Sequence, residues 1–239
     1  MSIYIAEFFS MMILIILGVG VVANVVLRRT KAEGGGWMVI TAGWGFAVMI
    51  AVFCGLATGV KSVDINPVFT LIKLLLGIYQ PIEAIAIMIS QTVGAFVGSC
   101  IVWIHFGPHW AETDDSDLIL AVFATGPAIR NTGANLASEI IGTAILVVSL
   151  CSIGGKNVIA PGLAPYLYGI VLWSIGISLG GTTGYALNPA RDLGPRLAHA
   201  ILPIPGKGGS AWEYAWIPVV GPFIGALIGY AIIKAVGII

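Results

Sequence analysis

Long stretches without a single charged residue constrain this chain most. Five runs of at least 20 residues contain no Asp, Glu, Lys or Arg: 8–27, 34–60, 84–111, 157–190 and 214–233. A helix needs about 20 apolar residues to cross the hydrocarbon core of a bilayer. A sixth segment, 135–154, is interrupted only by Glu139. These runs predict an all-α integral membrane protein with several spans.

Composition supports this reading and excludes other classes. Hydrophobic residues make up 58% of the 239 residues and charged residues 9%, with no net charge, whereas ordinary soluble domains contain about 25% charged residues. Three cysteines are too few for a disulfide-stabilised secreted domain. No basic patch indicates nucleic acid as a partner. The sequence also lacks a metal cluster, a nucleophile–base set and a phosphate loop, so we expect neither an enzyme nor a cofactor.

Six spans are expected, and two further apolar segments are too short to span. Each short segment opens on an Asn-Pro pair, at Asn66 and at Asn188. Segments of this length are typical of re-entrant or interfacial helices, so we predict half-helices at 66–78 and 188–201. The six spans are predicted at about 5–27, 37–58, 83–105, 135–154, 163–181 and 215–237.

The chain repeats one order of motifs. A glutamate early in a span (Glu7, Glu139) is followed by an Asn-Pro pair and then by a Gly-x-Phe-x-Gly motif. Each half has three spans, and an odd number places the second half upside down in the membrane. Inverted repeats place the functional site near the bilayer midplane. We therefore expect a first repeat at 1–110, a connecting loop at 111–134 and a second repeat at 135–239.

The Asn-Pro pairs predict what lies at that midplane. Asn is a strong helix N-cap and Pro is favoured at the first helical position. Half-helices entering from opposite faces would meet at their N-termini, which carry partial positive charge. That charge opposes cations and hydrated protons. The side-chain amides of Asn66 and Asn188 could still donate to a neutral solute.

The second Asn-Pro segment carries the most specific signature. Residues 184–196 read Gly-Tyr-Ala-Leu-Asn-Pro-Ala-Arg-Asp-Leu-Gly-Pro-Arg, which resembles the second signature of the aquaporin superfamily, the major intrinsic proteins, in its glycerol-facilitator branch. The resemblance implies six spans and two half-helices in a right-handed bundle. It places two triplets at the pore midplane, namely Asn66, Pro67 and Val68, and Asn188, Pro189 and Ala190. The first signature departs from the family pattern, with Asp64 where His is usual and Val68 where Ala is usual.

The resemblance also implies a four-residue selectivity filter near the outer face. Arg191 follows the second signature directly, and Tyr185 lies three residues before Asn188. Gly176 matches a small residue of the fifth span, and Trp44 matches the aromatic of the second span, with Phe46 as the alternative. Such a set would form an amphipathic slot, with two aromatic faces for the carbon backbone of a polyol and an arginine for its hydroxyl groups. The glycine would leave room beside the aromatic rings. None of the three histidines lies where water-selective relatives carry one: His105, His109 and His199.

Four acidic residues are expected to brace the loops. Glu7 and Glu139 lie in apolar spans, where an ionisable residue suggests a function such as a proton relay. Their symmetric placement favours a second interpretation, in which each accepts hydrogen bonds from the loop of its own half. Asp64 and Asp192 are expected to organise their loops, and Gln91 is expected to bind a loop backbone.

Together these features predict a passive channel for glycerol and other small neutral solutes, with water also conducted and ions and protons excluded. Dihydroxyacetone-like polyols, urea and hydrogen peroxide are further candidate solutes. The alternatives are a mainly water-selective channel and a proton-coupled secondary transporter. The resemblance implies a homotetramer in the lipid of a bacterial plasma membrane, with both termini cytoplasmic. The distribution of basic residues favours the opposite orientation.

Overall fold

The chain folds into α-helices joined by short connections. The computed structural model describes residues 2–154 and 162–239 and contains no β-strand in these ranges. In chain order its helices are α1 Ile3–Val26, α2 Gly36–Ala57, α3 Pro67–Leu75, α4 Pro81–His105, α5 Gly107–Ala111, α6 Ser116–Phe123, α7 Thr132–Ile153, α8 Ala164–Leu179, α9 Pro189–Ile201 and α10 Ile217–Ala235.

The long helices match the predicted spans. Five of them, α1, α2, α4, α7 and α10, are long and apolar enough to cross a membrane. Helix α8, with 16 residues, is shorter but also apolar. It corresponds to the fifth predicted span, which we had expected to run over 163–181. Residues 155–161, which include the start of the fourth uncharged run, lie outside the described part of the chain. The protein is therefore a multi-pass, all-α membrane protein.

The first half-helix is shorter than predicted. Helix α3 ends at Leu75 and not at Ile78, because Gly77 adopts a left-handed φ of +72°. The N–H groups of Gly77 and Ile78 then donate back to Leu74 O and Lys73 O. This is the Schellman pattern, which glycine allows without strain. Helix α9 ends at Ile201, as predicted.

The connection between the halves contains a helix that we had expected to be loop. Helix α6 lies within the predicted loop 111–134. Asp115 caps it by accepting the N–H groups of Asp117 and Leu118. The cap lies in an acidic stretch that is typical of a solvated loop. The apolar segment that follows is too short to predict a helix from its pattern.

Equivalent helices pack against each other in both halves. Helix α1 packs on α4 in the first half, and α7 packs on α10 in the second. Glycines allow the close approach: a Cβ on Gly94 would strike Phe8 O, and a Cβ on Gly225 would strike Ile140 O. Small residues at such contacts are typical of membrane helices. The half-helices α3 and α9 contact each other between these pairs.

Candidate functional site

Asparagine caps start both half-helices. Asn66 Oδ1 accepts the N–H of Val68 at 2.9 Å, and Asn188 Oδ1 accepts the N–H groups of Ala190 at 3.1 Å and Arg191 at 3.2 Å. The structure thus places both caps where the sequence predicts them. Because the side-chain oxygens are occupied, only the amide nitrogens are left to face a solute.

The two caps are also cross-linked. Asn66 Nδ2 donates to Leu187 O at 2.9 Å, and Asn188 Nδ2 donates to Ile65 O at 2.8 Å. Each asparagine therefore binds the carbonyl of the residue that precedes the other. An amide nitrogen has two N–H groups, so each keeps one for a further acceptor. This bond pair fixes the two half-helices end to end.

Strained backbone turns these two carbonyls toward the caps. Ile65 and Leu187 have φ values of +46° and +53°, a conformation that is unfavourable for side chains with a Cβ and rare for β-branched residues. Such strain persists only where the surroundings enforce it. Here they do so in both halves, through a buried carboxylate.

Each buried glutamate accepts two consecutive N–H groups of its loop. Glu7 accepts those of Asp64 and Ile65, the latter at 2.8 Å. Glu139 accepts those of Ala186 and Leu187, both at 3.0 Å. Both glutamates are at most 1% exposed. With their oxygens occupied by the loops, the geometry favours the bracing interpretation over a proton relay.

Further side chains saturate these carboxylates. Gln91 Nε2 donates to Glu7 at 2.9 Å and to Thr70 Oγ1 at 3.1 Å, so it binds side chains and not the loop backbone we had expected. Thr183 Oγ1 donates to Glu139 at 2.7 Å. Sequence reasoning did not assign Thr70 in α3 or Thr183 in the second loop, because a threonine at either place carries no recognisable pattern.

A cavity of about 470 Å³ passes these caps. It reaches from Trp44 and Arg191, past Asn66 and Asn188, to the loop before α3. Four members of the predicted midplane triplets are buried but do not line it among the described residues: Pro67, Val68, Pro189 and Ala190. Each follows its N-cap in the first turn, which rotates it away from the axis that the asparagine faces.

Arg191 lies at one end of this cavity, the end that the resemblance predicts to be the outer one. Its guanidinium carbon is 4.1 Å from the centre of the Trp44 ring, and Nη1 donates to Phe123 O at 3.3 Å. Within residues 2–154 and 162–239 no carboxylate forms a salt bridge with it. An aromatic face attracts a cation without neutralising it. The side chain therefore keeps its positive charge and several N–H donors at the cavity wall.

The structure places Trp44 and Phe46 on different faces of α2. Trp44 is buried and lines the cavity, packed so closely on α1 that a Cβ on Gly18 would strike its ring. Phe46 is 49% exposed and packs against Trp173 on the outside of the helix pair. Trp44 is thus the aromatic of the second span at the cavity.

Tyr185 completes the outer end, but Gly176 does so only indirectly. The Tyr185 ring lines the cavity and packs edge-to-face on Trp37, with 5.7 Å between the ring centroids. A Cβ on Gly176 would lie 2.9 Å from Tyr185 Cζ, and one on Gly180 would lie 2.5 Å from its Cδ1. The gap that we had expected beside Gly176 is filled by the tyrosine. Gly180, the C-cap residue of α8, forms the other half of this cradle and was not predicted.

Asp192 has the predicted bracing geometry and does not line the cavity. Its carboxylate binds Arg196 Nε at 2.7 Å and accepts both the N–H and the hydroxyl of Thr125. Arg196 donates further to Ser210 O at 2.8 Å and to Thr125 O at 2.9 Å. Sequence reasoning placed Arg196 in the signature but gave it no role. The pair ties α9 to two outer connections.

The whole-chain comparisons agree with this geometry. The family model "Major intrinsic protein" matches residues 1–233. The chain belongs to the major intrinsic protein family.

Relatives of this family cover nearly the whole chain. The probable glycerol uptake facilitator protein of Thermotoga maritima is 54% identical over 229 residues, which is 96% of this chain and 97% of the relative. The glycerol uptake facilitator protein of Bacillus subtilis is 46% identical over 96% of this chain and 82% of its own length. The solved structure of the aquaglyceroporin from Plasmodium falciparum superposes with a TM-score of 0.84 at 25% identity, covering 98% of this chain and 95% of that one.

The departures from the family pattern in the first signature now have a structural context. Val68 packs in an apolar cluster with Ile72, Val147, Ala226 and Ile233, away from the cavity, where its size does not narrow the path. Asp64 is buried, forms a salt bridge with Lys73 and accepts the Thr70 hydroxyl at 2.9 Å.

Lys73 is the least expected member of this first loop. Besides Asp64 it binds Ser62 Oγ at 2.8 Å and Tyr79 Oη at 3.3 Å. Burial, followed by the nearby charge of Asp64, raises the pKa of Tyr79. The phenol therefore stays neutral and accepts the ammonium hydrogen through its oxygen. A lysine in the last turn of a short helix reads from sequence as an ordinary partner of the helix dipole.

Proposed function

We propose that this major intrinsic protein is a passive membrane channel for glycerol and other small neutral solutes, and that it also conducts water. The observation that carries the proposal is the cavity of about 470 Å³. Its wall holds Arg191, which forms no salt bridge among the described residues, and two asparagine amides that each keep a second N–H to donate. The glycerol uptake facilitators of two bacteria, at 54% and 46% identity, support the choice of solute.

The filter would consist of Trp44, Tyr185 and Arg191, with Gly176 acting through the tyrosine. The carbon backbone of a polyol can lie on the aromatic rings while its hydroxyl groups accept hydrogen bonds from the guanidinium. Farther in, the second N–H of Asn66 or Asn188 donates to the next hydroxyl. At two positions along the pore, the solute would therefore replace hydrogen bonds to water by hydrogen bonds to protein donors.

Charge exclusion follows from the same parts. Two half-helix N-termini point at the midplane, and Arg191 adds a full positive charge at the outer end. A cation or a hydrated proton would meet positive potential at both places. Neutral solutes experience no such barrier.

A proton-coupled transporter needs a carboxylate that exchanges protons with the path. Glu7 and Glu139 do not line the described cavity, and their oxygens already accept loop N–H groups. The transporter alternative is therefore the weaker one. A mainly water-selective pore remains the alternative hypothesis within the family. Parallel measurements of glycerol and water permeability distinguish it from a glycerol channel.

The assembly we propose is a homotetramer in a bacterial plasma membrane, with one pore per subunit and both termini in the cytoplasm. Exposed aromatic residues on α2 and α8, among them Phe46 and Tyr166, suit a face covered by a neighbouring subunit. The mass of the purified protein in a defined detergent, measured by light scattering, tests the tetramer. Protease accessibility of a C-terminal tag in sealed cells tests the orientation.

The function is tested by light scattering on proteoliposomes exposed in parallel to glycerol and water gradients. We expect both permeabilities to exceed those of protein-free liposomes, with no pH change recorded by an enclosed dye. Water flux without glycerol flux would favour the water-selective reading. Solute accumulation driven by an imposed proton gradient would favour the transporter.

A further inference from the structure

A closed polar cluster lies at the inner end of the cavity, beside the first loop. Asp64 and Lys73 form its salt bridge, in which the Asp64 side chain is fully buried and the Lys73 side chain is 21% exposed. Both residues line the cavity. This is not an exposed surface pair, whose contribution is usually negligible.

Lys73 joins three segments of the chain. An ammonium group has three N–H donors, and those of Lys73 meet Asp64 in the loop, Ser62 farther back in the same loop and Tyr79 after α3. Every donor thus has an acceptor. The side chain is fixed against the wall, and the loop is fixed to the end of its own half-helix.

The cluster also pairs a loop carboxylate that the second half lacks at the equivalent position. The N–H of Asp64 donates to Glu7, so the buried carboxylates of Asp64 in the loop and of Glu7 on α1 are neighbours. In the second half the position equivalent to Asp64, two residues before the asparagine, is Ala186. Two close carboxylates disfavour each other's ionised form. Among the described residues, Lys73 is the cation that contacts either of them.

We propose that Lys73 is a positioning residue for conduction through the first loop. By neutralising Asp64, it keeps both carboxylates available as acceptors for the loop N–H groups. Those bonds hold Ile65 in its left-handed conformation, and Ile65 O in turn receives the amide of Asn188. Without Lys73 the Asp64 carboxylate would be buried beside Glu7 without a cation, so the loop would relax and the Ile65 carbonyl would leave the Asn188 amide. This inference rests on the proposed channel function.

The test compares the glycerol permeability of four variants in proteoliposomes, normalised to the amount of folded protein measured by size exclusion. Lys73→Met should lower the permeability by about fivefold or more, because it leaves an uncompensated buried carboxylate. Lys73→Arg keeps the charge and should retain at least about half of the wild-type value. Lys61→Met is the matched control, since Lys61 is exposed at the same mouth without a side-chain partner among the described residues, and it should change the value by less than about 1.5-fold.

The decisive variant is the double substitution Asp64→Asn with Lys73→Met. It removes both charges, so it should conduct better than Lys73→Met alone, a recovery that a purely additive loss of contacts cannot produce. Equal effects of Lys73→Met and Lys61→Met, or a double variant worse than Lys73→Met, would overturn the proposal. If Lys73→Met does not fold, the double variant is compared with Lys61→Met instead. Recovery of folded, conducting protein in the double variant supports the proposed role of Lys73, and a lack of recovery refutes it. Failure of the wild-type protein to pass glycerol would refute the channel function itself.

Discussion

The two re-entrant loops share their scaffold and differ in the residue that follows it. Each loop is held by a buried glutamate of a neighbouring helix, has a left-handed residue before its asparagine and carries an amide that reaches the opposite loop. The residue after the Asn-Pro-x triplet is Phe69 in the first loop and Arg191 in the second, and both line the cavity. The scaffold of the two loops is thus symmetric, while the arginine of the proposed filter has an apolar counterpart in the first loop.

The salt bridges differ in the same way. Asp192 and Arg196 lie away from the cavity and tie α9 to outer connections, whereas Asp64 and Lys73 lie on the cavity wall. The equivalent residues of the two loops therefore hold the strained backbone. The residues that differ between the loops determine which side chains each end of the cavity presents to a solute. The following substitutions would break or sharpen this comparison.

The largest effect is expected at the outer salt bridge. Arg196→Met leaves Asp192 buried without its cation, which should lower the free energy of unfolding by about 3–5 kcal/mol. The control is Arg130→Met, which removes an exposed pair with Glu213 and should cost less than about 1 kcal/mol. Thermal unfolding in detergent measures both. Equal midpoint shifts for the two variants would show that burial of the outer pair does not matter.

The next effect concerns the cradle of Tyr185. Gly180→Ala places a Cβ 2.5 Å from the tyrosine ring, an overpacking that should cost about 1–3 kcal/mol and lower glycerol permeability. Gly181→Ala is the control, because no atom lies within 4 Å of its Cβ position. Stopped-flow glycerol uptake distinguishes them. Unchanged uptake in Gly180→Ala would mean that the position of the Tyr185 ring does not limit the solute.

A smaller effect should be shared by the two halves. Asn66→Ala and Asn188→Ala each remove a helix cap, which costs about 0.5–2 kcal/mol, and each also removes one link to the opposite loop. We expect similar losses of stability and of conduction per folded molecule. The two variants are compared in the same proteoliposome assay. A loss confined to Asn188→Ala would show that the first loop does not use its cap in the pore.

Sequence reasoning reached the parts of this site that have a periodic or repeated pattern. The spans follow from uncharged runs, the caps from Asn-Pro pairs, and the bracing glutamates from their equivalent positions in the two halves. The misses have a different physical origin. The role of Gly176 depends on the position of the Tyr185 ring. The partner of Asp64 depends on the packing of the loop beside α3, where Lys73 lies. Contacts between segments of this kind leave no spacing signal in one sequence.

The smallest effect is expected from Tyr185→Phe, and its sign is informative. The Tyr185 hydroxyl is buried and has no hydrogen-bond partner among the described residues. Replacing an unsatisfied polar group by an apolar one of the same shape is nearly neutral or stabilising, so the free energy of unfolding should stay unchanged or rise by up to about 1 kcal/mol.

The same substitution tests how the filter contacts its solute. Tyr79→Phe is the matched control, since that hydroxyl accepts a hydrogen bond from Lys73 and its loss should cost about 0.5–1.5 kcal/mol. If Tyr185 offers only its ring face, Tyr185→Phe should leave the ratio of glycerol to water permeability unchanged, because the ring still lies against Gly176 and Gly180. A fall in glycerol permeability with constant water permeability would show instead that the hydroxyl turns to the solute. Arg191 would then share its end of the cavity with a second polar contact from Tyr185, whereas Phe69 occupies the position of Arg191 in the first loop. The difference between the two loops at this position would be larger than the structure alone indicates.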